Sequence, residues 1–173
     1  MKARGEHGFT LIELLIVVAI ISIIAAIAVP GLLRARMTGN ETSAIASLKV
    51  TTSSQVMYSA SCGNGGYAAT YVILGTPPVA GSEAFISADL GSVVAPQKSG
   101  YNFTLTAGAG SAAGPNDCLT TATISAWLGT GVPQTFGTTG TRSFAVNAGN
   151  TIWQLLTAAA PTEPFGAPAT PIQ

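Results

Sequence analysis

Gly8-Phe9-Thr10-Leu11-Ile12-Glu13-Leu14-Leu15-Ile16-Val17-Val18-Ala19-Ile20-Ile21 is an apolar run with a single carboxylate in it. Nothing nearby in the chain neutralises Glu13. A carboxylate in hydrocarbon is costly enough to mark a function or a partner that comes from elsewhere. From Leu14 to Leu33 there are 20 consecutive residues without a charge, Ser22 being the polar exception. A helix rises about 1.5 Å per residue, so that run spans roughly 30 Å, the apolar thickness of a bilayer. The segment is expected to enter a membrane. Lys2 and Arg4 before it and Arg34 and Arg36 after it balance, which leaves its orientation open.

The rest of the chain has a different composition. Only 8% of the 173 residues are charged and the formal net charge is zero, so there is no electrostatic footprint for nucleic acid. Twenty Gly and ten Pro favour strands, turns and loops over a helical bundle, and the length suffices for one domain with a core. Cys62 and Cys118 lie in the polar part, 56 positions apart. Exported, that part would carry them as one disulfide; in a cytosolic protein they would be two buried thiols.

Little in the sequence can do chemistry. His7, the one histidine, precedes the apolar run, and the two cysteines lack C-x-x-C spacing, so no zinc site is expected. Gly108 to Gly114 lacks both G-x-G-x-x-G spacing and a following Lys, and reads as a surface loop. Glu83, Asp89, Asp117 and Glu163 are scattered, which weighs against a calcium cluster, with Asp117 beside Cys118 the residual candidate. No metal, cofactor or enzyme activity is expected. Asn40-Glu41-Thr42 and Asn102-Phe103-Thr104 have the form of glycosylation sequons, a form common by chance.

Three readings compete for the N-terminus. A secretory signal peptide would be cut after Ala26-Ile27-Ala28, making Val29 the first residue, and a simple anchor would keep Met1. Neither explains Glu13. The third reading rests on Gly8-Phe9-Thr10-Leu11-Ile12-Glu13 between a short charged leader and a long apolar run. That arrangement resembles the class III signal of type IV pilins and pseudopilins. The resemblance implies a leader, residues 1–8, cut after Gly8 by a prepilin peptidase, with Phe9 as the N-methylated mature terminus. It also implies that Glu13 pairs with the N-terminal amine of a neighbouring subunit's Phe9 and so sets the axial register. Pro30 matches the proline that bends the family's helix.

From residues alone, the helix is expected to continue past Pro30 and Gly31 with a bend or local unwinding, unless Pro30 ends it. Met37, Ala44, Ile45, Leu48 and Val56 recur near helical spacing as an apolar stripe, with Asn40, Glu41, Lys49 and Gln55 on the face between them. Ser61 to Gly66 ends the helix. The period then becomes two. Tyr101, Phe103, Leu105 and Ala107 form one inward face; Ala122, Ile124, Ala126 and Leu128 a second; Phe144, Val146 and Ala148 a third; and Thr151 to Leu155 follows a turn. Pro161, Pro164, Pro168 and Pro171 mark a tail expected to be irregular.

The fold class expected is α+β: a long N-terminal α-helix, hydrophobic and kinked near Pro30, packed on an antiparallel sheet of three to four strands. Residues 9–60 would form the helix, membrane span then filament core, and residues 61–173 the globular part. The order is also the one the pilin family implies. Expected function is that of a filament subunit, parked in the bacterial inner membrane as precursor and then part of an extracellular pilus. Its partners would be identical or related pilin subunits, the prepilin peptidase, a membrane assembly platform and cytoplasmic ATPases. A pseudopilin or minor pilin of a type II secretion system is the alternative within the class, and a secreted surface-binding protein the alternative outside it.

Overall fold

The computed structural model describes residues 8–172, so of the expected leader only Gly8 falls within it, and residues 1–7 and Gln173 lie outside. The chain divides into two compact units between Arg36 and Met37.

The first unit contains the beginning of one long helix, α1 (Leu11–Ser61), which is helical throughout with Pro30 inside it. Proline removes an N–H, so the carbonyl of Ala26 loses its helical donor. The helix nevertheless continues, and Pro30 does not end it. Every residue from Gly8 to Arg36 is exposed, including Leu15, Ile20, Ile24 and Leu33. An apolar surface of this extent does not belong in water.

The second unit folds around the rest of α1. Two short helices follow, α2 (Tyr71–Gly75) and α3 (Ala88–Gly91). The strands are β1 (Gln97–Lys98), β2 (Tyr101–Ala107), β3 (Ala113–Asn116), β4 (Ala122–Ile124), β5 (Trp127–Pro133), β6 (Ser143–Asn147), β7 (Trp153–Leu155) and β8 (Thr170–Pro171). Six of them form one sheet in the order β1-β2-β5-β6-β7-β8, antiparallel throughout, and β3 pairs with β4 separately. The α+β class holds, with six strands in the main sheet rather than three or four.

The helix packs on this sheet through Leu48. An added Cβ on Gly129 or Gly131 of β5 would lie 3.8 and 3.7 Å from Leu48, so two side-chain-free positions on the inner face make room for the helix. Ala44, Leu48 and Tyr58 of α1 share one core with Tyr101, Phe103, Leu105, Trp127, Phe144 and Val146. At the far end, Asn64 and Gly65 adopt positive φ (50° and 88°) and Gly65 donates its N–H to Ser59 O at 3.0 Å, stopping α1 as the Cys62-Gly63-Asn64-Gly65 run predicts.

Several expectations need correction. The buried face of α1 is Glu41, Ala44, Ser47, Leu48, Thr51, Ser54, Gln55 and Tyr58, whereas Val56 is exposed. Glu41 and Gln55, assigned to the polar face, are therefore inside; partners from distant segments satisfy them, which removes the penalty of burial. The run 121–128 breaks between two sheets, and its fully buried residues are Thr123 and Trp127; of Ala122, Ile124, Ala126 and Leu128, Ile124 packs against the core while Ala122 is exposed. One indole buries more apolar area than the small residues opposite, so it takes the core side. Ala107 is exposed, Gly114 belongs to β3 rather than a loop, and the proline-rich tail is partly regular, since β8 pairs with β7.

Candidate functional site: the prepilin-like N-terminus and its head

Thr10 and Glu13 define the start of α1. Thr10 lies just before the helix, and its N–H and Oγ1 both donate to Glu13 Oε2, at 2.9 and 2.5 Å. In return Glu13 N–H donates to Thr10 Oγ1 at 3.3 Å, and Leu14 N–H to Thr10 O at 3.3 Å. This is a reciprocal capping box, which satisfies backbone donors that the first helical turn would leave open. The threonine does not neutralise the carboxylate, but it fixes its position. The Thr-x-x-Glu spacing ahead of an apolar run was the signal for it, and sequence reasoning passed over it.

Gly8 and Phe9 are exposed immediately before this cap, with Phe9 82% accessible. Pro30 and Gly31 are exposed within α1, and a Cβ on Gly31 would meet nothing within 4 Å. Cys62 and Cys118 are joined as a disulfide. Among the described residues no cluster of three or more His, Cys, Asp or Glu side chains could hold a metal ion.

The disulfide has a polar support that the sequence did not disclose. Cys118 N–H donates to Cys62 O at 2.8 Å. Next to it, the Asp117 carboxylate accepts from Tyr58 Oη at 2.7 Å, Thr121 N–H at 2.7 Å and Leu119 N–H at 2.8 Å. Burial alone would raise the Asp117 pKa, but these donors outweigh it and hold the carboxyl below its usual value. The same bond and burial push the Tyr58 phenol well above its ordinary range, burial contributing most. The residual metal candidate is thus a turn-closing acceptor.

A second constellation joins α1 to the segment just before β6. Glu41 Oε1 accepts from Thr141 N–H (2.8 Å) and Thr141 Oγ1 (2.9 Å), and Oε2 from Arg142 Nε (2.8 Å) and Nη2 (2.7 Å). Burial acts to raise the Glu41 pKa, and the hydrogen bonds from Thr141 and Arg142 with the arginine's charge bring it below the ordinary value. Arg142 also stacks over Phe144 at 5.5 Å and donates to Gln154 Oε1 at 2.8 Å. Tyr101 Oη donates to the Arg142 carbonyl at 2.7 Å.

Comparison with known proteins bears on the first of these sites. Residues 3–29 match the family described as the prokaryotic N-terminal methylation motif. The chain is also similar to the type IV wide pilus major component PilA4 of Thermus thermophilus, 53% identical over 55 residues. The match takes in 32% of this chain and 42% of that relative, so the likeness spans less than half of either. No solved structure matches the chain. The chain thus carries the prokaryotic N-terminal methylation motif ahead of a capped apolar helix, and over about a third of its length it is similar to a type IV pilin.

Proposed function

We propose that this chain is a structural subunit of a type IV pilus-like filament. The observation that carries the reading is the wholly exposed apolar helix from Leu11 to Leu33, headed by a fixed carboxylate at Glu13. Such a surface is satisfied either by lipid or by copies of itself. Moving it from one to the other exchanges one apolar surrounding for another, so extraction costs little hydrophobic free energy.

In this reading residues 1–8 are removed by a prepilin peptidase, which exposes the amine of Phe9 for methylation. The Glu13 carboxylate then meets the Phe9 amine of a neighbouring copy. Both Thr10 bonds fall on Oε2, leaving Oε1 for that amine. Opposite charges brought together in an apolar core offset much of their burial cost, while either alone is expensive. The pair therefore selects one axial position among many that apolar packing alone would accept. Pro30 and Gly31 supply the place where the helix bends when packing requires it. Residues 61–173 form the globular part, and a membrane platform with cytoplasmic ATPases drives assembly to the cell exterior.

The test is to shear cells, image the released material and sequence its subunits from the N-terminus. Filaments whose subunits begin at Phe9 are expected. Glu13→Val should leave the precursor in the membrane but yield few or no filaments. Normal filaments from that variant would remove the register role. Absence of surface filaments, with the chain needed for protein export, would favour the pseudopilin reading instead.

A further inference from the structure

Among the described residues of the second unit, charge is almost fully used internally. Glu41 pairs with Arg142, Asp89 with Lys98, Asp117 is held by Tyr58 and two backbone donors, and Glu163 accepts from Asn147 and Ala109 N–H. Among the described residues of this unit, two charge-bearing side chains remain without a hydrogen bond or ion pair, Lys49 and Glu83, one basic and one acidic and both exposed.

Their positions are related through α1. Successive helical residues are turned by about 100°, so Lys49 and Val50 look to opposite flanks of the exposed ridge. Lys49 and Ile45, one turn apart, border a cavity of about 180 Å³ closed by Asn150, Thr151, Ile152 and Ile172. Val50 borders the other, a recess of about 470 Å³ that contains Glu83, Phe85 and Ile86. Ser54 Oγ, one turn beyond Val50, donates to the Phe85 carbonyl at 2.7 Å and so fixes that side to α1. The ridge between them carries Thr42, Ala46, Ser53 and Met57, all exposed. One flank therefore presents a cation beside a partly apolar hollow, and the opposite flank an anion beside another.

We propose that these flanks are the two halves of one heterologous contact between copies of this chain, with Lys49 of one copy facing Glu83 of the next. A surface that meets a copy of itself by two-fold symmetry needs both signs within one patch. Here the signs are separated onto opposite flanks, which is the arrangement that builds an open chain of subunits rather than a closed dimer. Charge of this kind contributes orientation and partner choice more than affinity. The inference rests on the filament reading and adds to it which faces of the globular part meet.

The experiment uses the full-length chain in its own membrane and in sheared material. Lys49→Cys and Glu83→Cys, singly and together, are treated with a short thiol cross-linker. The double variant is expected to give a ladder of multimers, and each single variant none beyond background. Charge exchange provides a second measurement. Lys49→Glu and Glu83→Lys should each lower filament yield about tenfold, and the two together should restore it. Filaments without a ladder, or without rescue by the exchange, overturn the pairing but leave the filament reading intact. Dimers from a single variant overturn it in favour of a two-fold contact. If the unaltered chain forms no filaments, the filament reading fails and the pairing falls with it.

Discussion

At Glu41 one side chain holds two distant segments together, and it does so while buried. Four donor atoms converge on its two oxygens, so removing it leaves Thr141 N–H and the Arg142 guanidinium without their acceptor. Breaking such a pair from one side costs more than the pair contributes when intact. Glu41→Ala is expected to destabilise the chain by about 3 kcal/mol, with Glu41→Gln milder, read from denaturant unfolding of the purified protein in detergent. Glu41 and Asp117 also give a pH dependence. Both carboxyls are held below their unfolded value of about 4. The unfolded chain therefore binds more protons in the interval below that value, and acid favours unfolding. Their contribution is complete above about pH 4 and is lost as pH falls through the lower folded values. Unfolding curves from about pH 6 to about pH 3 should show a fall in stability that is shallower in Glu41→Gln and Asp117→Asn.

Individual elements are placed by close approaches that depend on small residues. The α2 and α3 helices meet at Gly75 and Gly91, where a Cβ on Gly75 would lie 2.2 Å from Gly91 O, a backbone atom that cannot swing away. Gly75→Ala must therefore separate the two helices. It is expected to cost about 2 kcal/mol, in the range of other overpacked positions, and to increase protease cleavage between residues 70 and 95. Gln55 plays a complementary part, with Nε2 donating to Ala68 O at 2.8 Å and Oε1 accepting from Ala68 N–H at 2.9 Å. A buried side-chain amide thus completes the backbone of a segment that belongs to no helix or strand. Gln55→Leu, although apolar and near in volume, should cost about 2–3 kcal/mol because it strands both groups.

For the molecule as a whole, the disulfide closes a loop of 56 residues between the end of α1 and the turn at Asp117. In the chain-entropy account a loop of that size contributes about 4 kcal/mol, by limiting the unfolded chain. Cys62→Ser with Cys118→Ser should accordingly lower the melting temperature, and reductant should have little further effect on that variant. Because the bond acts on the unfolded state, the folded core spectra are expected to stay the same. The helix before Met37 contributes nothing to that core, since none of its residues from Leu11 to Arg36 is buried within the chain. Its stability must come from its surroundings, lipid or other copies.

Local pattern determined much of this protein without reference to its fold. The uninterrupted apolar run set the long helix, the glycine and asparagine after Ser61 ended it, and Tyr101 to Ala107 was readable as a strand with the bounds it has. These signals lie within a few residues of one another, so propensity and period suffice to read them. The Thr10–Glu13 cap is equally local and legible from its Thr-x-x-Glu spacing. What only the tertiary structure decided is which polar groups are inside. Glu41 finds its partners 100 and 101 positions away, Gln55 13 away and Tyr58 59 away. Glu41 and Gln55 read as surface residues until a remote segment arrived to satisfy them, and the acceptor of the Tyr58 hydroxyl was equally out of local view. The same holds for Lys49 and Glu83, whose significance appears only once the other charged side chains among the described residues of that unit are seen to be engaged. Burial of a polar group depends on a partner that sequence distance does not reveal, whereas a run of hydrocarbon carries its own consequence wherever it is placed.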